Sequence, residues 1–307
     1  MAVLFHGSAD GGLDWPSRMR AALPGEDFRF WPDVGDPADI DIAILWRQPP
    51  GGLAPYPNLK TIQSFGAGIN QLDLPSIPPH IRMARLVDDR LSEQMAEYCL
   101  LSVLRHYRQF DQFEQDQRTG TWQPLPPRDR ASFPVGIMGF GVLGTATARL
   151  LALNGFHLRG WARTPKQIAG IDCFAGAEGL TGFLDGLKAL ICLLPLTPAT
   201  TGILNARLFE RLDSAYLVNA ARGGHLVDQD LIDALGRGRI AGATLDVFHQ
   251  EPPAPDHPFW RHPAILMTPH IASITNPVTA VAIFVENIRR ARAGAPLLNE
   301  VDRQQGY

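Results

Sequence analysis

The chain has 307 residues, of which 45% are apolar and 19% charged, with 28 Lys and Arg against 31 Asp and Glu. The length suits about two domains, and the apolar fraction excludes a disordered chain. A net charge of −3 lacks the basic excess typical of nucleic-acid binding, so we expect no nucleic-acid partner. No apolar run reaches the roughly 20 residues of a membrane span, and the three cysteines have neither disulfide nor zinc spacing. We therefore expect a cytoplasmic protein with reduced thiols and no membrane partner.

The first hundred residues alternate short apolar runs with turn-rich polar stretches, which predicts an α/β layer. Apolar residues recur at three- and four-residue spacing after Ser92, so a long helix is predicted to follow Asp89. The proline-rich stretch 120–127 predicts an irregular excursion on the surface. The strands predicted in this part are 3–5, 40–46, 59–65 and 81–86.

Beyond the excursion, six apolar strands alternate with helical stretches such as 143–154 and 228–237. Repeated βα units require parallel strands, so this part is predicted to be a doubly wound sheet of the Rossmann type. We predict two α/β domains: residues 101–274 form the Rossmann domain, which is inserted into a smaller flavodoxin-like domain of residues 1–100 and 275–307. The final helix, predicted over 277–293, is expected to pack on that smaller domain. The six strands are predicted over 135–140, 157–161, 189–194, 215–219, 241–247 and 265–267.

A glycine-rich loop lies between the first of these six strands and the helix that follows it. Its GxGxxG spacing predicts dinucleotide binding in this context: the first Gly permits a tight turn, the second lets the backbone approach a pyrophosphate, and the third lets helix and strand pack closely. The helix N-terminus offers amide hydrogens and partial positive charge to the anion. The residues of the loop are Gly139, Phe140, Gly141, Val142, Leu143 and Gly144.

Cations stand where NAD-binding folds place a carboxylate, just after the second strand of this sheet. A carboxylate there would bind the ribose hydroxyl and repel a 2′-phosphate. Instead, Arg163 can grip a 2′-phosphate through paired hydrogen bonds, with Thr164 adding a hydroxyl and Lys166 adding charge. The sequence therefore predicts NADPH as the cofactor in preference to NADH, which remains possible.

Ionisable residues follow three further strands, in segments 219–224, 246–252 and 268–273, where open α/β sheets bind ligands. With the glycine loop and segment 192–198, these motifs resemble the D-isomer-specific 2-hydroxyacid dehydrogenase family, and within it the glyoxylate/hydroxypyruvate reductases. The resemblance covers nearly the whole chain, including its ending at 301–307.

The resemblance implies an oxidoreductase that reduces a small 2-keto acid, glyoxylate or hydroxypyruvate, to the 2-hydroxy acid with NAD(P)H. Such a reduction places a hydride on the carbonyl carbon and a proton on its oxygen, so the site needs a proton donor and an anchor for the substrate. By resemblance, His270 would be the general acid, Glu251 would orient the imidazole and favour its protonated form, and Arg222 would hold the keto acid. The resemblance further implies cofactor contacts from Leu194, Pro195, Thr197, Ala221 and Asp246.

In the first domain, segment 64–70 resembles the family segment whose backbone amides bind the substrate carboxylate, which implicates Ala67 and Gly68. Trp46, at the end of its strand, would border the substrate, although a large aromatic there is equally expected in the core. Trp122, on the proline-rich excursion, resembles a position that reaches the partner subunit's active site in related reductases, and the family implies a homodimer. The histidines near 249–262 match no zinc spacing, so no metal is expected.

Two other functions are compatible with the glycine loop. A non-enzymatic, dinucleotide-sensing scaffold of the corepressor type would share the fold without needing a proton donor. A methyltransferase would use the same loop for its adenosyl cofactor. The joint presence of Arg222, Glu251 and His270 favours catalysis over both.

Overall fold

The structure is a computed structural model that describes residues 1–7 and 13–303. Its contacts divide the chain into two compact units, which we call unit 1 (Met1–Leu91 and Thr275–Tyr307) and unit 2 (Ser92–Ile274). The helices and strands are, in chain order, β1 (Ala2–His6), α1 (Trp15–Ala22), β2 (Phe28–Phe30), β3 (Ile40–Leu45), β4 (Thr61–Ser64), β5 (Arg82–Ala84), α2 (Asp89–Tyr107), α3 (Phe110–Thr119), β6 (Val135–Met138), α4 (Val142–Leu153), β7 (Leu158–Ala162), β8 (Asp172–Ala175), α5 (Gly176–Leu184), β9 (Ala189–Cys192), α6 (Ala206–Phe209), β10 (Ala215–Asn219), α7 (Asp228–Gly236), β11 (Ile240–Leu245), β12 (Ile265–Met267) and α8 (Pro277–Arg292).

Unit 1 is built on a five-stranded parallel sheet in the order β2-β1-β3-β4-β5. Strands β3 and β4 lie in the middle and are buried along their whole length, as continuous apolar runs in parallel sheets are expected to be. Helix α8 buries Ala280, Phe284 and Ile288 against this sheet, at the four-residue spacing that places them on one face. The C-terminal helix thus completes the core of the unit in which the chain begins.

Unit 2 is built on a seven-stranded parallel sheet in the order β12-β11-β10-β9-β6-β7-β8. Both units are therefore α/β with parallel sheets, which confirms the predicted fold class. The last residues of five adjacent strands pair in register: Met138 with Cys192, Cys192 with Asn219, Asn219 with Leu245, and Leu245 with Met267. Because the strands are parallel and end level, the loops that follow them emerge together at one edge of the sheet.

The division between the units falls inside helix α2, whereas the sequence placed the first boundary at residue 100. Leu91 packs in a core cluster of unit 1, but Met95, Cys99 and Val103 pack in a core cluster of unit 2. A continuous helix gives no compositional sign of such a change of neighbours.

The described residues include no helix that is both long and apolar enough to cross a membrane. Over residues 1–7 and 13–303, no group of three or more His, Cys, Asp or Glu side chains could hold a metal ion.

Candidate active site at the carboxyl edge of the unit 2 sheet

The glycine loop after β6 has a backbone that only glycine fits at two of its positions. Gly139 has φ of +103°, and a Cβ there would lie 2.6 Å from the carbonyl oxygen of Leu193. A Cβ on Gly144 would lie 1.9 Å from the carbonyl oxygen of Gly139. These two glycines let the strand turn sharply into α4 and let the helix pack closely on the strand.

Gly141, the residue before the first turn of α4, has a different environment. A Cβ built there meets no protein atom within 4 Å, and its φ of −82° is accessible to any residue. Glycine here keeps space open beside the N-terminus of a twelve-residue helix. Unpaired amide hydrogens and partial positive charge at that terminus suit a pyrophosphate. This part of unit 2 therefore fits a dinucleotide.

The residues expected to bind a 2′-phosphate lie directly after β7. This strand pairs with β6 and ends at the same edge of the sheet. Arg163 and Thr164 are exposed, so the guanidinium of the first and the hydroxyl of the second can meet a ligand from solvent. The Lys166 ammonium donates a hydrogen bond of 2.5 Å to the carbonyl of Phe140, which places its charge against the glycine loop. No carboxylate occurs between Trp161 and Lys166 to repel a phosphate.

The segment after β9 forms a compact turn held by Thr200. Its hydroxyl donates to the carbonyl of Pro195 at 2.7 Å and accepts from the N–H of Thr197 at 2.8 Å. Leu194 is buried in the core beneath this turn. Ala221, in the next loop, is buried and donates its N–H to the Asn219 side chain at 3.2 Å. These residues line the sheet edge between the glycine loop and the ionisable residues.

His270 and Glu251 meet across the loops that follow β12 and β11. Nδ1 of His270 lies 2.7 Å from Oε2 of Glu251, while Oε1 of Glu251 accepts the N–H of Phe248 at 3.0 Å. Burial acts to raise the pKa of Glu251, but the hydrogen bonds from His270 and Phe248 and the positive charges of His270 and Arg222 outweigh it and lower the pKa. The carboxylate is therefore ionised at neutral pH. With Nδ1 bound to Glu251, Nε2 is the ring nitrogen on the side away from that carboxylate.

Arg222 begins the short turn that follows β10. Strand β10 lies next to β11 in the sheet. Burial lowers the pKa of its guanidinium, and the Glu251 carboxylate opposes that shift, so the side chain remains a cation. A hydrogen bond within the turn stabilises it: the Arg222 N–H donates to Nδ1 of His225, which is buried, at 3.2 Å. The next residue, Gly223, packs so closely that a Cβ would lie 2.0 Å from the backbone of Phe248. The Arg222 turn is thus packed directly against the loop that carries Glu251.

Asp246, the first residue after β11, is 1% exposed and lies beneath the His270 turn. Its carboxylate accepts from the Thr268 hydroxyl at 2.6 Å and from the N–H groups of Ile271 and Ala272 at 2.8 Å each. Burial raises the pKa of Asp246, and these three hydrogen bonds and the charge of His270 only partly offset that effect. Its position fits a structural role as well as the cofactor contact expected from the sequence.

Unit 1 carries the remaining predicted residues in the loop after β4. The Ser64 hydroxyl and the Gln71 side chain both contact the carbonyl of Gly68, at 2.9 and 3.0 Å, and so hold the loop in one conformation. Among the described residues, the N–H groups of Ala67 and Gly68 donate to no other protein group. Trp46 follows β3 and packs its ring against Gly66 of this loop.

The structure brings together Arg222, Glu251 and His270, and it places the glycine loop, Arg163 and segment 194–197 at the same edge of unit 2. Trp122 is 99% exposed. Residues 304–307 of the family-like ending lie outside the described residues. Sequence reasoning did not single out Thr268 or Tyr98, whose hydroxyl groups lie 2.6 Å apart beside Asp246. Only Thr268 carried a sequence signal, since it falls within the motif 268–273.

Comparison with known proteins identifies relatives along the whole chain. The family model for the NAD-binding domain of D-isomer specific 2-hydroxyacid dehydrogenases matches residues 100–272. Glyoxylate/hydroxypyruvate reductase A of Serratia proteamaculans is 43% identical over 314 aligned residues, which cover 100% of both chains. A D-isomer specific 2-hydroxyacid dehydrogenase from Xanthobacter autotrophicus Py2, solved in complex with NADPH and MES, is 44% identical with a TM-score of 0.91, covering 100% of this chain and 99% of that one. The NADPH-dependent glyoxylate/hydroxypyruvate reductase of Sinorhizobium meliloti, solved with NADP and sulfate, is 35% identical with a TM-score of 0.90 and the same coverage.

The two kinds of glycine in the loop predict opposite effects of the same substitution. Gly141→Val fills open space, so the melting temperature should stay near that of the wild type while Kd for NADPH rises about tenfold or more. Gly144→Val forces a side chain into the backbone of Gly139, so it should lower the free energy of unfolding by about 1–3 kcal/mol. Fluorescence titration with NADPH and thermal melting check both. Unchanged NADPH affinity in Gly141→Val would contradict the assignment of this loop.

Proposed function

The chain belongs to the D-isomer specific 2-hydroxyacid dehydrogenase family, and from that premise we propose that it reduces glyoxylate or hydroxypyruvate to the 2-hydroxy acid with NADPH. The relatives named above support the reaction and the cofactor. The single observation that carries the proposal is the pairing of His270 with Glu251 at 2.7 Å, beside the cation of Arg222 and at the same sheet edge as the glycine loop. A proton donor, its orienting carboxylate and an anion anchor are the groups that this reduction requires.

His270 is the general acid of the proposed reaction. When bound, NADPH supplies a hydride to the carbonyl carbon of the keto acid. His270 donates the proton on Nε2 to the carbonyl oxygen, and Nδ1 keeps its hydrogen bond to Glu251. The negative charge of Glu251 compensates the imidazolium before transfer and fixes the plane of the ring throughout.

Arg222 binds the keto acid and stabilises the charge that develops on its carbonyl oxygen. A guanidinium donates several hydrogen bonds in a plane, which matches a carboxylate and its neighbouring carbonyl. Partial burial of the cation strengthens its interaction with an anion, because fewer water molecules screen it.

Unit 1 carries a further group of proposed substrate-binding residues. The N–H groups of Ala67 and Gly68 bind the substrate carboxylate, and Trp46 limits the size of the group attached to the keto carbon. Two observations support these contacts. Hydrogen bonds from Ser64 and Gln71 hold the loop after β4, and the N–H groups of Ala67 and Gly68 have no acceptor among the described residues. Unit 1 (residues 1–91 and 275–307) is accordingly the substrate-binding domain and unit 2 the dinucleotide-binding domain.

We further propose that the enzyme acts in the cytoplasm as a homodimer. Its three cysteines are unpaired, with Cys99 and Cys192 buried, as suits a reducing compartment. The exposed Trp122 lies on a proline-rich surface segment that suits contact with a second copy. Light scattering at twice the monomer mass would support the dimer, and a monomer would overturn it.

The scaffold alternative is less well supported than the enzyme. A dinucleotide sensor needs the glycine loop but has no use for an ionised Glu251 bound to an imidazole beside a cation. The curated and solved relatives named above are reductases or dehydrogenases.

The activity itself is tested by following absorbance at 340 nm with NADPH and glyoxylate or hydroxypyruvate. His270→Ala and Arg222→Ala should each lower kcat/KM by about 10²–10⁴-fold, because one removes the proton donor and the other the anion anchor. His80→Ala removes an exposed histidine of unit 1 and serves as the control with wild-type activity. Retention of most of kcat/KM in either active-site variant would refute the assigned roles.

The Glu251 carboxylate should be needed for fast proton transfer. Glu251→Gln keeps the size of the side chain but removes the negative charge that interacts with His270 in the proposed reaction, so kcat/KM should fall about 10-fold or more. Glu178→Gln, at an exposed position, should leave kcat/KM unchanged. Wild-type kcat/KM in Glu251→Gln would count against the pairing.

Arg163 should determine the preference between cofactors. Arg163→Ala removes the proposed 2′-phosphate contact, so KM for NADPH should rise about tenfold or more while KM for NADH stays nearly constant. Arg18→Ala removes an exposed arginine of α1 and should change neither value. An equal change of both KM values, or a wild-type enzyme that prefers NADH, would contradict the assignment.

A further inference from the structure

The segment that carries His270 has no helix or strand to fix its conformation. Residues 268–274 follow β12 without regular secondary structure, and His270 itself has φ of +56°. A left-handed backbone is unfavourable for a residue with a Cβ, by roughly 1–2 kcal/mol, so neighbouring groups must hold it. Two backbone hydrogen bonds do so in part, since the His270 N–H approaches the carbonyls of Asp246 and Thr268, each at 3.0 Å.

A directed chain of hydrogen bonds reaches this segment from helix α2. The Thr268 hydroxyl has one proton and donates it to Asp246, whose carboxylate also accepts the N–H groups of Ile271 and Ala272. The Tyr98 hydroxyl, 2.6 Å from the Thr268 oxygen, must therefore be the donor in their contact. Burial raises the pKa of the Tyr98 phenol, so it keeps the proton that it donates. The chain runs from Tyr98 to Thr268 to Asp246.

The same helix also binds the far end of the segment. Gln94 lies four residues before Tyr98 and hence on the same face of α2. Its side-chain amide donates to the carbonyl of Ile274 at 3.0 Å and accepts the N–H of Ile274 at 3.1 Å. A paired contact of this kind fixes both the position and the orientation of the backbone.

We propose that Gln94 and Tyr98 are positioning residues for catalysis, which hold the two ends of segment 268–274 so that the His270 ring stays aligned with Glu251. Neither side chain needs to touch substrate or cofactor for this role. The inference rests on the proposed function of His270 as general acid. It predicts that loss of either contact slows proton transfer by misaligning the imidazole, and that it leaves NADPH binding intact.

The principal test is Tyr98→Phe, which removes one oxygen and retains the buried ring. Values of kcat should fall about 10-fold or more, while KM for NADPH should remain unchanged. Tyr107→Phe is the matched control, because it deletes the same atom from the same helix but breaks a hydrogen bond to the Arg128 carbonyl. An equal loss of kcat in both variants, or wild-type kcat in Tyr98→Phe, would overturn the proposal.

Substitutions at Thr268 test whether the chain acts as a unit. Thr268→Val removes both hydrogen bonds and should lower kcat at least as far as Tyr98→Phe, while Thr268→Ser retains the hydroxyl and should restore most of it. The double variant with Tyr98→Phe should be no worse than Thr268→Val alone, whereas fully additive losses would refute a shared chain. Gln94→Met, of similar length but without the amide, should lower kcat in the same direction, and wild-type kcat there would exclude Gln94.

Measurements on the protein without ligands separate this inference from the proposed function. If the wild type oxidises no NADPH with any 2-keto acid, the proposed function fails on its own. The positioning is then read from the NMR resonance of the His270 Nδ1–H, which should shift in Tyr98→Phe because its hydrogen bond to Glu251 is misaligned, but not in Tyr107→Phe. Identical resonances in all three proteins would overturn the positioning role.

Discussion

The hydrogen bond between Nδ1 of His270 and Oε2 of Glu251, 2.7 Å long, connects the loops that follow β12 and β11 in unit 2. Its formation depends on the register of the sheet, because β11 and β12 end level at Leu245 and Met267. A shift of either strand by one residue would displace its loop by more than 3 Å and break the pair. The chemistry that we propose for this edge follows from that pairing, since it determines the orientation of the imidazole.

Two features beside this pair, a left-handed backbone and a buried carboxylate, are unfavourable by themselves. Several hydrogen bonds stabilise both. His270 adopts a left-handed backbone, and Asp246 buries a carboxylate almost completely. Each would be destabilising alone. Together they are compatible, because the Asp246 carboxylate accepts the N–H groups that the turn around His270 exposes. Unit 2 thus places a left-handed backbone and a buried carboxylate at the edge where the reaction is proposed, as expected where function rather than stability selects the residues.

The sequence predicted the central strands and the long helices because their apolar patterns are strong. It missed β2 and β8, which are short edge strands; β8 has no buried residue, so it has no continuous apolar run. It also missed α3, which has no buried residue among its ten and only two apolar ones, Phe110 and Phe113. The glycine loop was predictable because the requirement for glycine at Gly139 and Gly144 is local and steric.

Contacts between distant residues were beyond sequence reasoning. Lys166 was predicted to supply charge, but its hydrogen bond to Phe140 depends on how the loops after β6 and β7 lie side by side. Tyr98 reads as part of an apolar helical pattern, and its partner Thr268 lies 170 residues further along the chain. The identities of Arg222, Glu251 and His270 came from motifs, whereas their contacts required the register of β10, β11 and β12.

The most direct test of the account is to observe the proton between His270 and Glu251. In protein with ¹⁵N-labelled histidine, NMR at slightly acidic pH should show an Nδ1–H resonance of His270 shifted far downfield of an ordinary imidazole N–H by its charge-assisted hydrogen bond. That resonance should disappear from its position in Glu251→Gln. An Nδ1 of His270 that carries no proton in the wild type, or an unaltered resonance in the variant, would contradict the central claim.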